Sequence, residues 1–336
     1  MSIPIVYFRS SSFNSHRMCP MQYYHEYTLG WRGKSGKKAD KGTIVHKVLE
    51  LAALCKKALQ EGHETFEDNE IGKIETSNYD PEYLDEIIDK VYEYYTSRTT
   101  HHDWKPLDLK HCRRWVWKIF DDDDGFFDPK NRLVVDAEPH FDFEVEEDWA
   151  KYKYKMPNGE MVEGQLAIKG TIDLVTEVED GVIEVVDWKT GRRLNWATGE
   201  KKTYEKLLED PQLLLYNYAI SKLFPEYKQA IMTIYYIRDG GPFSMCFDKS
   251  DQEKFLGMLE KRFKQIKHNE FPKPISQRRS HFKCTKLCHF YKNNWPGTNI
   301  SMCEHVDEHL KAFGHDDTVD KCTRDGFEIG YYEAPG

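Results

Sequence analysis

Two acidic residues and a lysine lie in neighbouring apolar segments near the middle of the chain. Asp173 belongs to the segment Gly-Thr-Ile-Asp-Leu-Val, and Asp187 and Lys189 belong to Val-Val-Asp-Trp-Lys-Thr-Gly. Both acids interrupt apolar runs, where an unpaired charge is costly. Two carboxylates and an ammonium group around one point are suited to metal-dependent phosphodiester cleavage. The alternative is that the three residues are solvated charges on an antiparallel sheet.

The turn between the two segments decides whether these side chains meet. It has the sequence Glu-Asp-Gly at 179–181. If these three residues form a loop closed by a left-handed glycine, residues 178 and 182 pair, and Asp173 lies directly opposite Asp187. The lysine two residues further on then projects from the same face of the sheet. A two-residue turn would shift the register by one residue and move Asp173 to the wrong face.

The remaining pattern predicts an α/β protein in which helices and strands alternate. Helices are expected at 42–60, 81–120, 210–220 and 251–268, and strands at 132–145, 163–178, 182–189 and 229–238. This order indicates a mixed sheet with helices on either side of the hairpin. The domains expected are an N-terminal segment with the first core helix (1–60), a helical insertion (61–130), a core (131–270) and a cysteine-rich region (271–336).

Composition narrows the class of protein. The chain has 336 residues, 39% of them hydrophobic and 14% aromatic, which is enough to bury a sizeable core. The mean hydropathy is -0.74, and no run approaches the roughly 18 apolar residues of a spanning helix. The N-terminus lacks the pattern of a secretion signal. We therefore expect a soluble cytoplasmic protein without a membrane partner.

The net charge of -9 is unevenly distributed along the chain. Residues 189–206, which include Arg192 and Arg193, have a local balance of +4, and so do residues 31–41. Basic surface beside a metal site suits DNA binding better than the overall charge does. A basic run alone is more often a solvated face.

Two helices carry further polar residues that could reach the hairpin. His46 ends the sequence Gly-Thr-Ile-Val-His on the first core helix, which is otherwise built for packing. Gln212 and Tyr216 are four residues apart and share one face of the helix that Asp210-Pro211 opens. Taken singly, each of these residues is more often part of a core or a solvated edge.

The four patterns together resemble the RecB-like branch of the PD-(D/E)XK nuclease superfamily. In chain order they are Gly-x-x-x-His, Gly-x-x-Asp, Asp-x-Lys-Thr-Gly and Gln-x-x-x-Tyr, and the resemblance covers most of the chain outside residues 60–130. It implies a restriction-endonuclease-like fold, with a mixed central sheet flanked by helices, a helical insertion and a cysteine-rich C-terminal region.

The resemblance also implies roles for individual residues. Asp173, Asp187 and Lys189 would be catalytic, and one or two Mg2+ or Mn2+ ions would be bound by His46, Asp173, Asp187 and the backbone carbonyl of Trp188. DNA-binding roles fall to Gln212 and Tyr216, with Arg192 and Arg193 from the basic stretch. Glu138 lies where many relatives have an acid on the first core strand, so it is a candidate supporting residue.

The cysteines near the C-terminus form a second group. Cys284, Cys288 and Cys303 resemble the three C-terminal ligands of RecB-like nucleases that contain an iron–sulfur cluster, and Cys19 lies where the upstream ligand is expected. The resemblance therefore implies a [4Fe–4S] cluster on these four residues. Because 14 residues separate Cys288 from Cys303, Cys322 is a rival for the last position. Zinc on a mixture of cysteine and histidine is the alternative cofactor, and buried cysteines without a ligand are a further alternative.

The function expected from the resemblance is a metal-dependent deoxyribonuclease. It would act as an exonuclease on single-stranded DNA or duplex ends in recombination, repair or replication, either alone or with a separate helicase or recombination protein. One alternative is a nuclease that trims DNA ends during CRISPR adaptation, although such chains are typically shorter. Another is a non-catalytic DNA-binding scaffold with a nuclease fold.

Overall fold

The computed structural model describes residues 5–76, 81–121, 125–156, 159–194, 200–269, 271–275 and 282–327. The chain divides into two compact units. The terminal unit comprises Met1–Lys34, Phe141–Gly170 and Glu253–Gly336, and the central unit comprises Ser35–His140 and Thr171–Gln252. Within the described ranges, none of the helices has both the length and the apolar character needed to cross a bilayer.

Helices and strands are numbered along the whole chain. The strands are β1 Tyr7–Phe8, β2 Thr65–Asp68, β3 Gly72–Glu75, β4 Leu133–Ala137, β5 His140–Glu144, β6 Lys151–Lys155, β7 Met161–Gln165, β8 Ala167–Thr171, β9 Leu174–Glu179, β10 Val182–Lys189, β11 Gln229–Tyr236 and β12 Phe243–Cys246. The helices are α1 Ser10–Met18, α2 Pro20–Tyr23, α3 Lys37–Gln60, α4 Pro81–Arg98, α5 Pro106–Asp121, α6 Tyr204–Leu208, α7 Pro211–Leu223, α8 Lys249–Lys267, α9 His289–Lys292 and α10 Met302–Cys322.

The central unit contains a five-stranded mixed sheet in the order β12-β11-β10-β9-β4. β10 and β11 pair in parallel, and the other neighbours are antiparallel. All of β10 except its last residue is buried, as expected for a nearly continuous apolar strand in the middle of a sheet. The strand that carries Asp187 and Lys189 is therefore held on both edges.

The hairpin between β9 and β10 differs from its predicted form in one respect. The prediction that residues 178 and 182 pair is wrong, because Val182 pairs with Glu179 and leaves a two-residue turn. The register then shifts at Ile183, and every later pair follows the predicted register up to Val186 opposite Leu174. The glycine of the turn has φ +75°, in the left-handed region. A β-bulge thus restores the register that a simple two-residue turn would have lost.

The predicted helix at 81–120 is two helices, α4 and α5, separated by residues 99–105. Both pack on α3 in one hydrophobic cluster, to which they contribute buried residues such as Ile87, Val91 and Val116. Val45 of α3 and Val186 of β10 belong to the same cluster. This shared core gives α3 a fixed position relative to the sheet of its own unit.

The terminal unit contains a three-stranded sheet, β1-β8-β5, and a β6-β7 hairpin. Two π-helical turns, Tyr24–Thr28 and Lys283–Leu287, interrupt its helical segments. The sequence did not predict α10, a 21-residue helix that breaks at Gly314, where φ is +83°. Its pattern was hidden among the cysteine and histidine residues.

Candidate active site

Asp173 and Asp187 occupy adjoining positions on the antiparallel pair β9 and β10. They are the next residues along the two strands after the last recorded pair, Leu174 with Val186. The backbone N–H of Trp188 donates to Asp173 Oδ2 over 2.7 Å. This hydrogen bond continues the ladder with a side chain in place of the backbone, so it fixes the Asp173 carboxylate beside β10.

Trp188 can contribute its carbonyl from the same position. In an extended strand the N–H and C=O groups of one residue point to the same side. Because the Trp188 N–H points to Asp173, the Trp188 carbonyl faces that side too. Its indole is buried in the hydrophobic cluster of the central unit, so the backbone rather than the side chain is available.

Lys189 lies against the second acid. Lys189 Nζ is 2.6 Å from Asp187 Oδ2, and the side chains are 30% and 1% exposed, respectively. The carboxylate is therefore inside the protein, while the ammonium group reaches solvent. Such an arrangement keeps the lysine oriented at the mouth of the site.

His46 approaches from α3. Its Nδ1 lies 3.4 Å from Asp173 Oδ2, and its side chain is 29% exposed. The helix comes close to the end of β10 at Gly42, where an added Cβ would lie 2.8 Å from Thr190 Oγ1. The glycine four residues before His46 thus permits the close approach that brings the imidazole to the acid.

Gln212 and Tyr216 connect α7 to the same acids. The helix begins at Asp210, whose carboxylate accepts from the Gln212 N–H at 3.0 Å, and Pro211 occupies its first turn. The Gln212 amide donates to Asp187 Oδ1 at 2.9 Å and to the Tyr216 hydroxyl at 2.8 Å. Tyr216 in turn donates to the Thr171 carbonyl at 2.9 Å. Both residues therefore position the acids, whatever else they contact.

Electrostatics in this group separates the two acids. Burial raises the pKa of Asp187 to about 6, because it outweighs the attraction of Lys189. Burial also opposes ionisation of Asp173, but the neighbouring His46 and Lys189 outweigh it and lower the pKa of Asp173. The pKa of Lys189 is raised, since the two acids outweigh its burial. A charged lysine beside two close acids is a strongly coupled group.

The donors suit a hard divalent cation. Two carboxylates and a backbone carbonyl supply oxygen ligands of the kind that Mg2+ and Mn2+ prefer, and an imidazole adds one nitrogen. A cation would also relieve the repulsion between a buried Asp187 and its neighbour Asp173. The residues present therefore fit the metal that the sequence led us to expect.

Comparison with known families identifies the group to which these features belong. A family model described as the PD-(D/E)XK nuclease superfamily matches residues 10–291. The chain belongs to the PD-(D/E)XK nuclease superfamily. The restriction-endonuclease-like fold expected from the sequence, a mixed sheet with flanking helices, is confirmed.

Two further comparisons complete the picture. The crystal structure of a protein described as a candidate exonuclease from Eubacterium rectale is similar, with a TM-score of 0.45 and 13% identity over 88% of this chain and 91% of that chain. No curated protein matches the chain. Members of this nuclease superfamily typically use a divalent metal.

Glu138 belongs more closely to the nuclease site than the sequence indicated. Among the described residues it is the non-glycine residue with a left-handed φ, at +55°, and it separates β4 from β5 in the predicted strand 132–145. Its N–H donates to the Asp173 carbonyl at 3.2 Å. Burial, followed by the charges of Asp173 and Glu50, raises the pKa of Glu138 to about 8. An acid held in a strained conformation beside a metal-ligand set is a functional candidate.

We expect Glu138→Gln to stabilise the metal-free protein, and to do so more at pH 8 than at pH 5. A carboxyl group whose pKa is raised on folding loses stability as pH increases from its unfolded value toward its folded value, because the unfolded chain releases the proton first. The glutamine variant removes this loss, so the gain should grow by on the order of 1–2 kcal/mol between these pH values. Urea unfolding in the presence of a chelator measures it. The exposed Glu67→Gln variant is the control, and a gain that does not change with pH would contradict the expectation.

We expect Gln212→Ala to reduce kcat by about 10- to 100-fold, because residues that orient metal ligands have effects of this size. The variant removes the donor that holds Asp187 Oδ1 and the contact with Tyr216. Nuclease assays over a range of Mn2+ concentrations would show whether kcat or metal affinity falls. Replacing Gln229, which is exposed at the start of β11, should have no effect. Wild-type kcat and metal affinity in Gln212→Ala would show that this contact is not needed.

The two arginines predicted to bind DNA have different surroundings. Arg192 is exposed. The guanidinium of Arg193 donates to the Lys202 carbonyl at 2.9 Å and lies 4.4 Å from the centre of the Phe243 ring. Arg193 therefore anchors the polypeptide that follows β10. Residues 195–199 of the basic stretch lie outside the described residues.

A second group of possible ligands was missed by the sequence reasoning. Asp40, His101 and His102 each place one ligand atom within 4.8 Å of the others. His102 Nε2 is 2.6 Å from Asp40 Oδ2, so these two residues already satisfy each other. The consecutive histidines were the available signal, but they lie 61 residues from Asp40 in the sequence, and only the fold of α3 against the 99–105 loop brings them together.

The four cysteines proposed as cluster ligands line one cavity of the terminal unit, and Cys322 does not line it. Cys19 and Cys284 are buried, and Cys288 and Cys303 are partly buried. All eight cysteines of the chain are free thiols. Cys322 lies at the end of α10, where its carbonyl accepts from the Trp31 indole at 2.7 Å. The cavity therefore favours Cys303 over Cys322 as the fourth member of the group.

Proposed function

We propose that this protein is a Mg2+- or Mn2+-dependent DNA exonuclease of the RecB-like type. The observation that carries the proposal is the arrangement of Asp173, Asp187 and Lys189 on one hairpin, with His46 and Gln212 bonded to the acids from two helices. A solvated-charge reading does not account for this, because Asp187 is 1% exposed. Both acids face the same group of donors.

The residues of the site divide the work of phosphodiester hydrolysis. A divalent ion held by His46, Asp173, Asp187 and the Trp188 carbonyl would supply Lewis-acid activation of the phosphate and of water. Lys189, oriented by Asp187 and open to solvent, can donate to a phosphate oxygen on which negative charge develops. Gln212 keeps the Asp187 carboxylate turned toward the site. The products expected from the family's usual mode of attack have 5'-phosphate ends.

DNA is the proposed substrate, either single-stranded or at duplex ends. The exposed Arg192 lies three residues after Lys189 and offers a cation to the phosphate backbone beside the site. We propose a role in recombination, repair or replication, with a helicase or recombination protein as the partner that exposes single strands. This placement rests on the resemblance to RecB-like nucleases.

The assay that tests the function compares linear and circular single-stranded DNA labelled at the 5' or 3' end. Purified protein with Mg2+ or Mn2+ should degrade the linear strands, leave the circles intact and lose activity with a chelator. Cleavage of circles would make it an endonuclease. Absence of cleavage with every divalent ion would indicate a scaffold that only binds DNA.

We also propose that Cys19, Cys284, Cys288 and Cys303 hold a [4Fe–4S] cluster. Their support is a common cavity in which burial raises the thiol pKa of Cys284, Cys288 and Cys303. Neutral buried thiols facing one cavity are a costly arrangement that iron–thiolate bonds would replace.

We expect protein purified without oxygen to be brown and to absorb near 400 nm, and Cys284→Ser to lose the colour and much of its bound iron. The exposed Cys246→Ser is the matched control and should retain both, as should Cys322→Ser. Iron and acid-labile sulfide analysis provides the measurement. A colourless wild-type protein with stoichiometric zinc would replace the cluster by a zinc site.

A further inference from the structure

His25 is an unusual residue in the terminal unit. It lies in the π-helical turn Tyr24–Thr28 and is 0% exposed. Neither ring nitrogen has a hydrogen-bond partner within the described part of the chain. Leaving one buried donor or acceptor unpaired costs about 1–3 kcal/mol, so an imidazole with both nitrogens unpaired requires an explanation.

The ring is held in place by apolar contact alone. It stacks on Phe290 with the ring centres 4.4 Å apart and an angle of 10° between the planes. Burial, followed by the nearby His289 and His305, lowers the pKa of His25 to about 3. His25 is therefore a neutral imidazole, which carries one N–H donor and one acceptor nitrogen.

The position of the ring indicates where the missing partner belongs. His25 lines the same cavity as Cys19, Cys284, Cys288 and Cys303. Phe290, the residue on which it stacks, follows Cys288 by two positions and also lines the cavity. A sulfur-containing group in this cavity is therefore the partner that could satisfy the imidazole without moving it.

We propose that His25 donates its ring N–H to a sulfur atom of the group bound by the four cysteines, and thereby sets the reduction potential of that group. The inference rests on the iron–sulfur cluster proposed above. Thiolate and sulfide sulfurs accept N–H hydrogen bonds, and such bonds are among the factors that set cluster potentials. Because the reduced cluster carries one more negative charge, an N–H directed at sulfur stabilises the reduced form more than the oxidised form. His25 is thus a positioning residue for the cluster and not one of its ligands.

The test is a redox titration of purified holoprotein, followed by electron paramagnetic resonance of the reduced cluster. In His25→Leu, which keeps an apolar side chain against Phe290, reduction should become about tenfold less favourable, a shift of about 59 mV to more negative potential for a one-electron couple. His25→Gln retains an amide N–H and should recover most of the wild-type potential. The control is His289→Leu, because His289 is close to the cavity but its ring already lies 3.0 Å from the Asn293 amide.

The outcomes distinguish this inference from the cluster proposal. A wild-type cluster whose potential is the same in His25→Leu overturns the hydrogen bond and leaves the cluster standing, and an equal shift in His289→Leu overturns it as well. A wild-type protein without iron and sulfide overturns both proposals together.

If His25→Leu does not retain its cluster, the wild-type protein provides the test through electron–nuclear double resonance after labelling with ¹⁵N-histidine. A weak nitrogen coupling, characteristic of a hydrogen bond, supports the proposal. A strong coupling characteristic of direct ligation would overturn it in favour of a histidine ligand, and the absence of coupling would overturn it outright.

Discussion

Replacing Lys189 with alanine is expected to reduce the rate of phosphodiester cleavage by about 10²- to 10³-fold or more, as the loss of one donor at a developing negative charge does in other enzymes. The affinity for DNA should change little, because Lys189 is one cation among several in residues 189–206. Loss of rate without loss of binding is the signature of an interaction made mainly in the transition state.

The structure offers a matched control for this experiment. Lys206 is about half exposed in the same basic stretch and pairs with Glu200 at 3.5 Å, so Lys206→Ala removes the same charge without touching the acids. Single-turnover assays on labelled DNA, combined with binding measured in Ca2+, separate the two quantities. Cleavage by Lys189→Ala at the wild-type rate would exclude the lysine from the mechanism.

Asp173→Asn should have the second large effect, on metal binding as well as on rate. The variant keeps an oxygen that can accept from the Trp188 N–H, so the hairpin should survive. It removes the negative charge that faces His46 and the cation. We expect Mn2+ affinity to fall by about 100-fold or more, which exceeds the loss typical of residues that only orient ligands.

Asp180→Asn is the control for Asp173→Asn. Asp180 is exposed in the turn of the same hairpin, and Asn-Gly is at least as favourable there as Asp-Gly. Calorimetric titration with Mn2+ and a nuclease assay give the two measurements. Retention of wild-type Mn2+ affinity by Asp173→Asn would remove this residue from the ligand set.

The site could be predicted from sequence largely because its residues lie on regular elements. Strand periodicity placed Asp187 and Lys189 on one face, and an i, i+4 spacing placed Gln212 and Tyr216 on one face of α7. The left-handed glycine of the turn was also correctly expected. The number of turn residues was not, because a β-bulge compensates one register shift with another, and no sequence pattern marks it.

The features that sequence missed depend on backbone conformation or distant contacts. Glu138 was only a candidate supporting residue, since its left-handed φ and its hydrogen bond to Asp173 are visible only in three dimensions. The group formed by Asp40, His101 and His102 depends on the 99–105 loop, which the sequence placed inside one continuous helix. His25 gave no sequence signal, because an unpaired buried nitrogen can be recognised only from its surroundings.

The central claim is that His46, Asp173 and Asp187 bind the catalytic cation. An anomalous difference map from a crystal grown with Mn2+ tests it most directly. We predict a peak within about 2.0–2.3 Å of oxygen atoms of Asp173 and Asp187, the usual range for oxygen ligands of small divalent ions, with His46 and the Trp188 carbonyl completing the site. A map with no peak there, or with Mn2+ only at Asp40, His101 and His102, would contradict it.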